Sequence, residues 1–207
     1  MIGTDERQQV FVIDDDEAVC DAVGLLLSRE ELAVRCFPDV ETCRTEIVGS
    51  GEPACIVSDV RLPGMSGLDL QSELKAAGST TPLILITGHG EIDMAVRAIK
   101  AGAFDFLEKP FDPARLVASV RGAIETGARN RANQHDLDDI RARVAQLSER
   151  QAEVMNLAVL GFSNKEIAQQ LVISPRTVES YRAWVMEKTG AANLAELVRI
   201  AMRLESN

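Results

Sequence analysis

The sequence predicts an α/β fold, a doubly wound five-stranded parallel sheet, followed by a separate all-α unit. Three observations carry this reading. Up to residue 126 the chain alternates short β-branched apolar runs with amphipathic stretches, five times in succession. Continuous apolar strands of this kind need cover on both faces. From residue 147 no strand pattern recurs, and helix-start signals replace it.

The expected strands are "VFVID" (10–14), "AVRCF" (33–37), "ACIVSD" (54–59), "PLILIT" (82–87) and "FDFLE" (104–108). The expected helices are 17–29, 39–48, 67–77, 91–101 and 113–126. Successive βα units of this kind have right-handed crossovers and place helices on both faces of the sheet. Ligands of such open sheets bind outside the carboxyl ends of the strands.

The chain has 207 residues, 46% apolar and 26% charged, which suits a globular protein with a core in each of two units. No apolar run approaches the ~20 residues of a membrane span, and the first dozen residues lack a secretory pattern, so a cytoplasmic protein without membrane contact is expected. Cys20, Cys36, Cys43 and Cys55 show no CxxC spacing and read as reduced structural cysteines. Net charge is −11 over residues 1–125, +1 over 126–146 and zero over 147–207. An acidic half joined to a neutral one points to units with different partners.

At the carboxyl ends of the expected strands stand Asp14 and Asp15, Asp59, Thr87 and, just after the fifth, Lys109. Clustered carboxylates repel one another until a cation joins them. Mg²⁺ prefers a few carboxylates together with waters and phosphate oxygens. In this reading Asp14 and Asp15 hold the metal, while Asp16 and Glu17 cap the following helix. Asp59, at a strand tip, can attack phosphorus and form an aspartyl phosphate. Lys109 and the Thr87 hydroxyl can then bind the phosphoryl oxygens. Arg61 and His89 lie two residues beyond Asp59 and Thr87; they either shield the phosphoryl group or are solvated rim residues.

The motifs "VIDDD", "SDVRLPGMSGLDL", "ITGHG" and "AGAFDFLEKPF" together resemble the receiver domain of bacterial two-component response regulators. The resemblance implies a flavodoxin-like receiver fold over residues 1–126 and phosphate accepted at Asp59 from a partner histidine kinase. It implies a Mg²⁺ site of Asp14, Asp15, Asp59 and the backbone carbonyl of Arg61, with Asp15 the more direct ligand. Thr87 and Phe106 match the switch pair; Phe106 stands where many relatives have Tyr, so switching rests on ring burial. The Lys109–Pro110 bond is expected to be cis.

Residues 127–146 read as a mostly helical linker opening with the polar "GARNRANQHD". Leu137, Ile140, Val144 and Leu147 then form one helical stripe, either a dimerising seam or a face packed on a neighbouring unit. In residues 147–207, "SERQ" (148–151) and "SNKE" (163–166) are capping boxes, and Ser174 with Pro175 marks a third start. "NKEIAQQL", "VIS" and "PRTVESYRAWVMEK" have helix-turn-helix spacing, although a helical hairpin in a bundle shares it. On the second of these helices Val178, Tyr181 and Val185 face inward. Arg176, Glu179, Ser180, Ala183 and Glu187 face outward, flanked by Thr177, Arg182 and Lys188. A polar, small-residue strip with basic borders suits a major groove.

The stretch "LSERQAEVMNLAVLGFSNKEIAQQLVISPRTVESYRAWVMEK" resembles the DNA-binding domain of the LuxR/FixJ class, and the combination of halves resembles FixJ-type transcription factors. The resemblance implies a phosphorylation-controlled transcriptional regulator rather than an enzyme. Expected partners are a sensor histidine kinase, double-stranded promoter DNA, RNA polymerase and, when phosphorylated, a second copy of the chain. The neutral charge of residues 147–207 departs from the usual basic balance, so affinity should rest on few phosphate contacts and on dimerisation. Two other classes, an aspartyl phosphatase using Asp59 and a phospho-switch that binds only protein, remain open. No residue obviously activates a hydrolytic water for the first.

Overall fold

β-Branched and aliphatic residues dominate the five runs, and each run forms a strand in the computed structural model, which describes residues 7–88 and 92–205. The strands are β1 (Gln9–Ile13), β2 (Ala33–Phe37), β3 (Cys55–Asp59), β4 (Leu83–Thr87) and β5 (Asp105–Glu108). They pair in parallel in the order β2-β1-β3-β4-β5. The winding reverses between β1 and β3, so their carboxyl ends flank the crevice where such sheets bind ligands. All of β3 and β4 is buried, whereas edge strand β2 exposes Arg35 and Cys36.

Helices α1 (Glu17–Ser28), α2 (Val40–Ser50), α3 (Gly67–Ala76), α4 (Ile92–Ala101) and α5 (Pro113–Val144) follow the strands in turn. Side chains alternate across the sheet. Val10, Val12, Val57, Ile84, Ile86 and Leu107 pack with Val23 and Leu27 of α1 and Leu116 and Val120 of α5. Phe11, Ile13, Ile56 and Leu85 pack with Val40 of α2, Leu70 of α3 and Ala98 of α4. Each fully buried aliphatic contributes roughly 1.5–3 kcal/mol, so these two layers, not the surface ion pairs, hold the unit. Asp16 caps α1 by accepting the Ala18 amide at 2.9 Å, with Glu17 in the first turn. Burial pushes the Cys20 and Cys43 thiols up to about 12 and raises Cys55 as well; all four cysteines are free thiols. The Lys109–Pro110 peptide is cis.

One expected boundary is corrected. The helix read as ending at residue 126 continues through the polar segment to Val144. That segment contains no proline, and extending an existing helix costs far less than starting one. The ion pair Glu125–Arg129 adds support at i,i+4 spacing. The chain divides into compact units within α5, 1–131 and 132–207.

The second unit contains the end of α5 with α6 (Glu149–Val159), α7 (Asn164–Leu171), α8 (Pro175–Thr189) and α9 (Leu194–Glu205). Ser148 with Gln151 and Ser163 with Glu166 form reciprocal capping boxes, and Ser174 caps α8 ahead of Pro175. The start of α9 was not among the three expected; Asn193 marks it by accepting the Glu196 amide at 3.0 Å. Ile140, Val144 and Leu147 pack with Met155, Val185, Leu197 and Ile200. Of the two readings of that stripe, these three residues therefore serve as a packed face of this unit. Among the described residues no helix is long and apolar enough to cross a membrane.

Candidate functional site

Two carboxylates and one ammonium meet at the carboxyl edge of the sheet. Asp14 follows β1, Asp59 ends β3 and Lys109 follows β5. Lys109 Nζ lies 2.6 Å from Asp14 Oδ2 and 2.6 Å from Asp59 Oδ2. Both aspartates are buried, at 2% and 7% exposure. Burial opposes the lysine's charge, but hydrogen bonds and attraction from Asp14 and Asp59 outweigh it and hold its pKa above the ordinary value. The remaining oxygens are held by the backbone: Asp14 Oδ1 accepts the Asp16 amide at 3.0 Å, and Asp59 Oδ1 accepts the Arg61 amide at 2.7 Å.

Of the three carboxylates expected at this edge, Asp14 and Asp59 contact Lys109 directly. Asp15 is exposed, with no partner among the described residues, while Asp14 and Asp59 share Lys109 as their counter-charge. Accordingly, no three acidic, histidine or cysteine side chains among the described residues lie close enough to enclose a metal. The donors available at this edge are nonetheless all oxygens: the three aspartates and the carbonyl of Arg61. Such a hard, incomplete set fits Mg²⁺, which keeps several waters and needs few protein ligands.

Thr87 is fully buried at the end of β4, and its carbonyl accepts the Lys109 amide at 2.7 Å. Phe106 pairs in register with Leu85, two residues before Thr87, so Thr87 and Phe106 occupy the same face of neighbouring strands. Phe106 is half-buried against the apolar layer containing Leu85 and Ala98. Arg61 is exposed, and His89 lies outside the described residues. A residue that the motif reading passed over is Gly67. Its amide donates to the Val60 carbonyl at 3.1 Å, and a β-carbon there would lie 2.4 Å from the Asp59 carbonyl oxygen. Its place at the first position of α3, directly after the Ser66 cap, was the available signal.

In the second unit, α8 buries Val178 and Val185, and Tyr181 packs half-buried in the cluster that contains Val178. Arg176, Glu179, Ser180, Ala183 and Glu187 are all exposed. Thr177 is half-buried, its hydroxyl 2.7 Å from that of the Ser174 cap. Arg182 lies at the border, donating to Asn164 Oδ1 at 2.9 Å. Lys188 does not join this strip: its Nζ donates to the Gln146 carbonyl at 2.8 Å and to Gln151 Oε1 at 2.9 Å. Those two acceptors at the entry to α6 draw its ammonium inward. Trp184, also passed over in the sequence, is 48% exposed and stacks edge-on with Tyr181 at 5.6 Å. It lies one turn beyond Ser180, and an aromatic residue on a polar helical face was its signal.

Residues 10–121 match the response regulator receiver domain, and residues 145–201 match the luxR family of bacterial regulatory proteins. The chain is 45% identical to the transcriptional regulatory protein FixJ of Bradyrhizobium diazoefficiens over 197 residues, covering 95% of this chain and 96% of that protein. The structure of the response regulator StyR resembles it with a TM-score of 0.77 at 34% identity, covering 95% of this chain and 99% of that one. Full-length FixJ from B. japonicum matches with a TM-score of 0.58 at 44% identity, covering 97% and 98%. With its parallel-sheet receiver and its luxR-family helical unit, this chain belongs to the FixJ-type response regulators of two-component systems.

Proposed function

We propose that Asp59 accepts a phosphoryl group from a histidine kinase, and that this promotes dimerisation and binding to promoter DNA. The observation that carries this reading is the placement of Lys109 Nζ at 2.6 Å from both Asp14 and Asp59. In the transfer an Asp59 carboxylate oxygen attacks phosphorus. The bond from phosphorus to the kinase's histidine nitrogen breaks as the new oxygen–phosphorus bond forms, and the electron pair stays on that nitrogen. Lys109 holds Asp59 in place and is near enough to exchange one carboxylate contact for a phosphoryl oxygen. Asp14, Asp15, Asp59 and the Arg61 carbonyl would hold Mg²⁺. When bound, it neutralises charge on the phosphoryl oxygens.

The Thr87 hydroxyl is the device that reports the new group. Its movement toward a phosphoryl oxygen vacates space that the Phe106 ring, on the same sheet face, can fill. That remodels the surface of α4 and β5, where Val96 and Ile99 are already 45% and 48% exposed. A dimer formed there presents two copies of α8. Glu179, Ser180 and Ala183 then read base edges, with Arg176, Thr177 and Arg182 on phosphates. RNA polymerase is the expected next partner of such a promoter-bound dimer.

The test is labelling by a small phosphodonor with Mg²⁺, followed by intact mass. Wild type gains one phosphoryl group, Asp59→Asn gains none, and Asp15→Ala loses most Mg²⁺ binding. Unchanged labelling of Asp59→Asn overturns the assignment. A beryllofluoride-treated sample should sediment as a dimer at concentrations where the untreated chain is monomeric; identical sedimentation counts against the switch.

A further inference from the structure

Cys20 and Cys36 are separated in sequence and share no recognisable motif, yet the fold seats one against the other. Cys20 is buried on α1, and Cys36 lies on the exposed edge strand β2. The Cys36 thiol donates to the Cys20 carbonyl oxygen at 3.5 Å, which seats its sulfur on the turn of α1 that carries Cys20. Gly24, one helical turn beyond Cys20, lines the place where the Cys36 sulfur sits. A β-carbon at Gly24 would already lie 3.8 Å from the Cys36 sulfur, so a larger side chain there would compete for its seat. The other two cysteines are buried in different surroundings. Cys43 packs in the layer with Phe11 and Val40, and Cys55 in the opposite layer with Val10 and Val57.

We propose that Cys20 and Cys36 form an oxidisable pair that closes to an intramolecular disulfide and tethers α1 to the edge strand β2. The oxidant class is a low-molecular-weight disulfide. Cys36, on the exposed strand, attacks one of its sulfurs as the thiolate, giving a mixed disulfide and one released thiol. Cys20 then attacks the Cys36 sulfur, and the second thiol leaves. The protein thiols give up two electrons and two protons, and these appear on the two small thiols. The bridge acts close to the acidic site: the Cys20 sulfur also contacts the Asp14 carbonyl oxygen at 3.6 Å.

The full chain, reduced and then incubated with excess glutathione disulfide, is analysed by intact mass and by peptide mapping after blocking residual thiols. The expected product is lighter by two hydrogens, about 2 Da, and carries a Cys20–Cys36 crosslink. The Cys43→Ser variant retains that product, and Cys36→Ser loses it. A wild-type product that holds glutathione on Cys36 while Cys20 stays alkylatable overturns the proposal. So does a crosslink through Cys43 or between two chains.

Discussion

Gly67 stands so close to the carbonyl of Asp59 that a β-carbon on it would come within 2.4 Å of that oxygen. The Leu85 side chain, at 2.9 Å, and the Ser58 hydroxyl, at 3.1 Å, close the remaining space. The turn that delivers Asp59 to the sheet edge and the first turn of α3 are therefore packed backbone to backbone.

Gly67→Ala should destabilise the chain by roughly 1–3 kcal/mol, because a backbone carbonyl cannot swing aside as a flexible side chain does. It should also slow labelling of Asp59 by a small phosphodonor. The control is Gly49→Ala, since a β-carbon at Gly49 meets nothing within 4 Å. In helix α2 that change should stabilise by about 0.5–1 kcal/mol. Urea denaturation of both variants beside wild type checks the opposite signs, and a neutral Gly67→Ala would refute the packing argument.

Removing the ammonium at Lys109 leaves Asp14 and Asp59 facing each other uncompensated. Lys109→Met should cost about 2 kcal/mol, less than the ~3–5 kcal/mol of a fully buried pair because the lysine side chain is 22% exposed. The pKa of Lys109 is raised in the folded chain, so its stabilisation is fully present below the unfolded lysine value of ~10.4 and is lost as pH rises through the raised folded value. Chemical denaturation should show the wild-type advantage at pH 7 and its loss only in strongly alkaline buffer. Added Mg²⁺ should restore part of the variant's stability.

Val172 ends α7 in the left-handed conformation, with φ 55° and ψ 48°. A β-branched residue is strained there, and this one is 89% exposed, so its side chain offers little packing in return. Val172→Gly should raise the stability of the helical unit by about 0.5–1 kcal/mol. The single tryptophan, Trp184, lies in α8, so its fluorescence during unfolding reports on this unit alone. A lower midpoint would show that the turn gains more from Val172 than the strain costs.

Glu179→Ala should relax base preference at one position of each half-site, a loss of ~1–3 kcal/mol in discrimination. Arg182→Ala should weaken all sequences alike and lower the salt slope by ~1. Half-sites should lie about one helical turn apart on a symmetric dimer. Parallel site selection on random DNA with both variants decides the roles. An unchanged motif for Glu179→Ala with an altered one for Arg182→Ala would reverse them.

The sequence by itself determined what depends on neighbours a few residues apart. Five apolar runs announced five strands, and Asp16, Ser148, Ser163 and Ser174 announced helix starts, since a cap acts within one turn. The winding rule then put Asp14, Asp59 and Lys109 at one edge without saying how far apart they stand. Only the tertiary structure decided that Lys109 bridges two aspartates, 95 and 50 positions away. It also decided that Ile140, Val144 and Leu147 pack with α8 and α9, that Lys188 turns inward to α6, and that Cys20 meets Cys36 beside Gly24. Periodicity and capping are local energies carried by the chain's own spacing. These other relationships arise from packing between segments distant in sequence, where register and side-chain volume set the distance and no short pattern records it.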